Sequence, residues 1–250
     1  MVPTGRDSRR LEGVAKRIEA ASGREVEPLR ADFSSLDEVR RLASVLLDRF
    51  ERIDVLVNNA GTYSRRRELT PDGHETTFAI NHLAPFLLTN LLLERLRASA
   101  PARIVVTSSD AHRGGLLNFD DLELERRWSG VRAYSNSKLA NVLFTRALAH
   151  RLEKEEVVAN CFHPGVVGTR LVRGGLISVA WAGVRLFGRR PRSGADTLVY
   201  LADSLEAADI SGEYVVDRRP SQLLGQAADD HAAELLWEVS ESLVGLDRVG

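Results

Sequence analysis

Two side chains in one short stretch have the types and spacing for proton transfer. Tyr134 and Lys138 lie four positions apart in Tyr134-Ser-Asn-Ser-Lys138. The run that follows, Leu139, Ala140, Val142, Leu143, Phe144, Ala147 and Leu148, has helical apolar spacing. On a helix, residues i and i+4 share a face one turn apart. A phenol and an ammonium are therefore expected side by side near the start of a helix. A nearby cation favours the phenolate, so the Tyr134 pKa is expected to fall from its reference of about 10. A tyrosine tuned toward neutral can exchange a proton with an alcohol or a carbonyl. Tyr-x-x-x-Lys alone is a weak signal, and a surface tyrosine with a solvated lysine is the plain alternative.

The elements around it decide between these readings. Asp7 to Ala21 reads as a helix with Leu11, Val14, Ala15 and Ile18 in one stripe, ended by Ser22-Gly23. Val26 to Asp32 reads as a short strand. Ser34 and Ser35 cap a helix that buries Leu36, Val39, Leu42, Ala43, Leu46, Leu47 and Phe50. Ile53 to Val57 is an apolar strand running into Asn58-Asn-Ala-Gly61. Pro71 to Leu96 is a long helical segment that Pro85 bends. Arg103 to Ser109 is a second buried strand, and a polar loop from Asp110 to Val131 leads to the tyrosine helix. Val157 to His163 is a third strand, ending at Pro164-Gly165. Gly194 to Leu205 is helical, Gly212 to Asp217 is a final strand, and Leu235, Leu236, Trp237, Val239 and Leu243 mark a last helix. Strands alternating with helices imply a parallel sheet covered on both faces. Ligands in such sheets bind beyond the carboxyl ends of the strands. Asn58 to Gly61, Ser108/Ser109 and Pro164-Gly165 all fall there, so they are expected to share a crevice.

Composition narrows the class. At 250 residues a single α/β domain is expected. Lys+Arg 34 against Asp+Glu 35 leaves a net charge of −1, which favours neither nucleic acid nor an anionic membrane as partner. The single cysteine, Cys161, cannot form an internal disulfide, and this fits a reducing, cytoplasmic setting. The histidines at 74, 82, 112, 150, 163 and 231 have no close metal-ligand spacing, so no metal is expected. Residues 1–20 are Arg-rich and do not read as a signal peptide. No run of 18 uncharged apolar residues predicts a membrane span.

Taken in order, Asn58-Asn-Ala-Gly61, Ser109, Tyr134-x-x-x-Lys138 and Pro164-Gly165 resemble the short-chain dehydrogenase/reductase family. Gly5-Arg6-Asp7, Ala31-Asp-Phe-Ser-Ser35, Asn81-His-Leu-Ala-Pro-Phe86, Tyr134 to Asn141, His163-Pro-Gly165 and Leu236-Trp-Glu-Val-Ser240 resemble its retinol-dehydrogenase-like branch. The resemblance implies a Rossmann-like three-layer α/β/α fold with a mostly parallel sheet. It implies an NAD(P)-dependent oxidoreductase acting on a small alcohol or carbonyl. By the same resemblance Tyr134 is the general acid/base, and Lys138 lowers its pKa and binds the nicotinamide ribose. Ser109, rather than Ser108, orients the substrate oxygen, and Asn81 holds a water on the lysine's path to solvent. The cofactor-binding set is Arg6, Asp32, Phe33, Asn58, Ala60, Gly61, Tyr134, Lys138, Pro164, Gly165 and Thr169. Asp32 is either an adenine contact or an N-cap of the next helix. Arg6 follows the end of a strand where no carboxylate is placed to take a ribose 2′-hydroxyl, and an arginine suits a 2′-phosphate. This favours NADP(H) over NAD(H). The family also forms homo-oligomers through the helices holding Asn81 and Tyr134.

Gly174 to Gly188 is strongly apolar, with Leu176, Ile177, Val179, Ala180, Trp181, Val184, Leu186 and Phe187. In the family this region closes over the substrate, so an apolar substrate is expected. A peripheral membrane patch with Arg185, Arg189 and Arg190 is the rival reading. Arg65-Arg66-Arg67 reads as a solvated loop, and Asp120, Asp121, Glu123 and Glu125 do not read as a paired acid site. The sequence departs from the family in one place. The opening strand, the Thr-Gly-x-x-x-Gly-x-Gly turn and the first helix find no match, a unit of about 30 residues. That turn seats a pyrophosphate on a helix N-terminus. Its lack makes a truncated, non-catalytic binding module the alternative to an enzyme.

Overall fold

The computed structural model describes residues 1–165 and 191–246. The long helices meet the strands as three layers around a mostly parallel sheet. β1 (Thr4–Gly5) pairs in parallel with β2 (Leu29–Arg30). A separate five-stranded sheet runs β3 (Val55–Asn58), β4 (Ala102–Thr107), β5 (Val157–Phe162), β6 (Tyr214–Val216) and β7 (Arg219–Pro220) in that spatial order. Its pairs are parallel except β6 with β7.

Local chemistry explains the helix ends. α1 (Ser8–Ser22) starts where Asp7 accepts from the Arg10 N–H and stops at Gly23, whose φ of 68° is left-handed. α2 (Leu36–Arg49) starts where Ser35 accepts from the Glu38 N–H, with Asp37 and Glu38 at the positive end of its dipole. Val39, Leu42, Ala43 and Leu46 form its buried stripe. The expected helix from Pro71 begins later. Glu75 caps α3 (Thr76–Phe78), and a π-helical turn over Ala79–Leu83 joins it to α4 (Ala84–Ala98). The irregularity therefore falls on Asn81, ahead of Pro85, which sits harmlessly in the first turn of α4. The stretch Thr76–Ala98 is long and apolar enough to cross a membrane, but most of its apolar part is buried inside the fold as a core helix.

β4 is buried on both faces, as expected of a central parallel strand. One face meets α4 and α5 (Gly130–Arg151), with Ile104, Val106, Leu139, Val142, Leu143 and Phe144 in the main core. The other face meets α6 (Pro191–Asp203), through Val105, Phe162, Leu201 and Val215. α7 (Asp230–Val244) lies on α5 and α4. Its Trp237 ring packs 5.0 Å from Phe86 and 5.9 Å from Phe144.

β3 differs from its neighbours. Leu56 and Asn58 are buried, but Val55 and Val57 are 39% and 38% exposed. Its one partner among the described residues is β4, and β1 has one partner, β2. The segment 26–32 shrinks to a two-residue strand because β1 offers only two residues to pair with. Among the described residues this segment does not pair with β3.

Candidate active site

Four side chains from three elements converge beyond the carboxyl ends of β3 and β4. α5 starts at a Ser129 cap, which places Tyr134 and Lys138 in its first turns. Lys138 is 3% exposed, and its ammonium donates to the Thr107 carbonyl at the end of β4 at 3.0 Å. It also stands 5.6 Å from the centre of the Tyr134 ring. Ser108 and Ser109 follow β4 but face different ways. The Ser108 hydroxyl is buried and donates to the Lys138 carbonyl at 2.8 Å, tying strand to helix. The Ser109 hydroxyl accepts from the Ala111 N–H at 3.2 Å and lies near enough to the Tyr134 phenol to oppose the rise in its pKa. With one lone pair held by Ala111, its proton is free to be donated.

Asn81 enters from the π-helical turn, fully buried. Its amide accepts from the Thr62 N–H at 2.7 Å and donates to the Thr62 carbonyl at 3.0 Å and the Ser137 hydroxyl at 2.9 Å. It thus locks the Asn58–Thr62 loop to α5. A Cβ on Gly61 would lie 3.5 Å from Asn81 Oδ1 and 3.7 Å from Lys138 Nζ, so Gly61 floors the same site. Tyr63 adds an aromatic wall, its ring edge-on to Tyr134 at 6.0 Å. Gly130 makes room for it: a Cβ there would come within 2.3 Å of the Ser64 carbonyl. Thr62, Tyr63 and Ser137 are absent from the expected set. Ser137 alone had a signal, since it is three residues from Tyr134 on the same helix face.

The electrostatics differ from expectation. Burial raises the Tyr134 phenol above its ordinary value, and the Ser109 hydrogen bond only opposes this. The expected lowering by Lys138 is not found, because the ammonium is directed at Thr107 rather than at the phenol. Burial also brings Lys138 down to about 8.

The expected cofactor residues separate into groups. Ala60 and Gly61 are exposed at the end of β3. The Asn58 amide is buried and donates to Thr89 at 2.9 Å, fastening β3 to α4. Asp32 is not the N-cap of α2, a role that Ser35 holds. Burial would raise the Asp32 carboxyl, but the Ser34 N–H and hydroxyl, with Arg6 and Arg30 nearby, hold it below the usual range. Arg6 is exposed just beyond β1. The Phe33 ring packs against the core. Gly165 has a φ of 75°, which calls for glycine at the turn after β5. Thr169 and Gly174–Gly188 lie outside the described residues. An open hollow of about 890 Å³ at the opposite end of the sheet, lined by Asp54, Arg103, His150 and Glu156, touches none of these residues.

The short chain dehydrogenase family matches residues 1–175, which is most of the chain. This chain belongs to the short-chain dehydrogenase family. The fold of that family is the fold of NAD(P)-dependent oxidoreductases that interconvert alcohols and carbonyls. Human retinol dehydrogenase 14 is 46% identical over 224 residues, 86% of this chain and 66% of the relative. The chain thus spans just under two thirds of that protein. A protein of Streptomyces sp. (strain C5) described as "Putative daunorubicin C-13 ketoreductase DnrU" is 42% identical over 246 residues, 98% of this chain and 84% of the relative. A blue fluorescent protein from a metagenomic library, solved in complex with NADPH, superposes with a TM-score of 0.68 at 25% identity. That match covers 86% of this chain and 84% of the other. The residues expected to bind a nicotinamide dinucleotide fall at strand ends and on one helix: Ala60 and Gly61 after β3, Asp32 after β2 near Arg6, and Tyr134 and Lys138 on α5. Among the described residues, no Gly-rich turn opening a helix is present to seat the pyrophosphate between them.

Proposed function

We propose that this short-chain dehydrogenase interconverts an alcohol and a ketone or aldehyde on an apolar substrate, with NADP(H) as cofactor and Tyr134 as general acid/base. The convergence of Ser109, Tyr134, Lys138 and Asn81 on one strand-end crevice carries this reading. The nicotinamide, when bound, supplies or removes the hydride. Tyr134 gives its proton to the substrate oxygen in reduction and takes it back in oxidation. Ser109 donates its free proton to the same oxygen, stabilising negative charge without competing as an acid. Lys138, its ammonium held on the Thr107 carbonyl, would hydrogen-bond a ribose hydroxyl rather than tune the phenol. Asn81 keeps the Gly61 loop and α5 in register, beside the lysine's way to solvent.

Support for an apolar substrate comes from the composition of Gly174–Gly188 and from relatives named for retinol and for an anthracycline ketone. Arg6, exposed beyond β1 and near Asp32, supports NADP(H). A cytoplasmic location remains part of the proposal. A second reading, a binding module without turnover, is favoured by one observation: among the described residues β1 and β3 each lack a second partner and no phosphate turn accompanies them. The test is NADPH-dependent reduction of a panel of retinoid-, steroid- and aryl-ketone-like carbonyls beside small sugars, with Tyr134→Phe as control. Reduction of apolar carbonyls, lowered about 100-fold or more in the phenylalanine protein, is expected. Faster turnover of polar sugars would remove the apolar assignment, and full activity in the variant would remove Tyr134 from its role.

A further inference from the structure

Behind Ser109, toward β5 and β6, lies a polar hub that the reaction as described does not use. Asp110 is its centre. One carboxylate oxygen accepts from the Tyr214 hydroxyl at 2.9 Å, and the other lies 3.3 Å from His163 Nε2. The Asp110 N–H donates to His163 Nδ1 at 3.3 Å. With Nδ1 accepting from the backbone, the ring's proton sits on Nε2, the nitrogen that faces the carboxylate. His163 therefore grips Asp110 at two points, backbone and side chain. His112 completes the hub. Its Nδ1 donates to the Ser109 carbonyl at 2.8 Å, and its ring meets the Tyr214 ring edge-on at 4.5 Å.

These contacts come from three strand ends. Asp110 and His112 belong to the 3₁₀ turn after β4, His163 follows β5, and Tyr214 opens β6. Tyr214 is fully buried, so its hydroxyl has one partner position and the core fixes its ring. Burial and the Asp110 charge push that phenol far above its ordinary range, so it stays a donor. His112 is held below its ordinary value by burial and stays neutral. The Ser109 turn is thereby tied to the two neighbouring strands through Asp110 and His112.

We propose that Asp110 is a positioning residue, tied to Tyr214 and His163, that fixes the turn carrying Ser109 and so aims the Ser109 hydroxyl at the Tyr134 phenol. The proposal rests on the assignment of Ser109 and Tyr134 as the reacting pair, but it has a readout that needs no turnover. In cofactor-free protein labelled with ¹³Cζ-tyrosine, Tyr134 is one of four tyrosines, and Tyr134→Phe identifies its signal. The Ser109 hydrogen bond lowers the Tyr134 pKa, so a displaced Ser109 raises it. Asp110→Asn removes a negative charge, which acting alone would lower it. The two explanations thus predict opposite signs. Tyr214→Phe changes no charge and removes only the bond to Asp110.

In both variants the Tyr134 titration is expected to move up by about half a pH unit or more. Where turnover is measurable, kcat is expected to fall about 10-fold while KM for the nucleotide stays within about 2-fold. A Tyr134 titration that is unmoved or lower in either folded variant overturns the proposal, whatever happens to activity. Should the unaltered protein reduce no carbonyl, the functional assignment fails, and the titration still decides the role of Asp110.

Discussion

Lys138 gives its buried ammonium to the Thr107 carbonyl at 3.0 Å, and the same carbonyl accepts from the Asn141 amide at 3.1 Å. The helix that carries the site is thus tied twice to the end of the central strand. The charge comes at a cost to stability. Burial lowers the Lys138 pKa from 10.5 to about 8. Between those values the unfolded chain binds the proton and the folded chain does not, so stability rises with pH through that window. Below about pH 8 the folded state holds a charge it disfavours. Lys138→Met is therefore expected to stabilise the protein at pH 7 by on the order of 1–3 kcal/mol. Thr107 keeps its Asn141 donor, so no buried carbonyl is orphaned. The gain shrinks as pH rises through about 8 and vanishes near 10.5. Urea unfolding of both proteins from pH 6 to 10.5 checks the sign; a variant less stable at pH 7 and unchanged in its pH trend would contradict it.

Arg6 is expected to read the 2′ position of the cofactor. It stands exposed beyond β1, and no carboxylate is placed before it. Arg6→Glu replaces a phosphate partner with a repelling charge, so it should weaken NADPH far more than NADH. Paired titrations of both nucleotides against both proteins measure this. Equal losses would assign Arg6 to the solvated face of the Arg-rich segment instead.

How much of this site can be read from sequence depends on whether its parts lie in contiguous motifs. Tyr134, Lys138 and Ser109 are placed by punctuation at a strand end and by one helical spacing, and Asn81 by the family resemblance; the structure brings the four together. The direction of the Lys138 ammonium is not local. It is set by a carbonyl 31 residues away, so the pairing with Tyr134 predicts the neighbourhood of the phenol but the wrong direction for its pKa. The hub beneath Ser109 is less accessible still. Asp110 and Tyr214 are 104 residues apart, and neither sits in a periodic pattern that would single it out. Strand lengths fail for a related reason. The residues 26–32 have strand character throughout, yet a strand extends only as far as its partner, and β1 is two residues long.

The last helix bears on assembly. The resemblance to oligomeric family members places the association face on the helices holding Asn81 and Tyr134. Here α7 covers part of it. Arg151 pairs with Glu234 at 2.7 Å and stacks 4.0 Å from the Trp237 ring; Arg146 pairs with Asp230; His82 meets Ser240 at 2.8 Å. A face occupied by the chain's own helix is not free for a second copy, so light scattering is expected to report a monomer. Trp237→Ala should cost about 3–5 kcal/mol, as large aromatic truncations in cores do. A stable dimer of the unaltered protein, surviving dilution, would show that association uses another face.

The final prediction concerns the split sheet. In an α/β fold a parallel strand is covered on both faces and paired on both edges unless it lies at the rim. β3 meets neither condition: Val55 and Val57 are 39% and 38% exposed, and β4 is its one partner among the described residues. β1 likewise has β2 alone. Open N–H and C=O groups cost on the order of 1–3 kcal/mol each where water cannot reach them. A few of them are comparable with the roughly 5–15 kcal/mol by which a domain is stable. One further strand between β1 and β3 would satisfy both edges. A Gly-rich turn and helix after it would place backbone N–H groups where the adenosine and nicotinamide ends of the site need an anchor. A version of the protein extended at its N-terminus by such a strand–turn–helix unit is therefore expected to bind NADPH at least 10-fold more tightly, since even about 1.4 kcal/mol of added phosphate binding suffices for that factor. It should also melt several degrees higher. Calorimetric titration with NADPH and thermal unfolding of both versions measure the two effects. Equal affinity and equal melting temperature would mean that the present edges cost nothing and that the pyrophosphate finds its donors elsewhere in the chain.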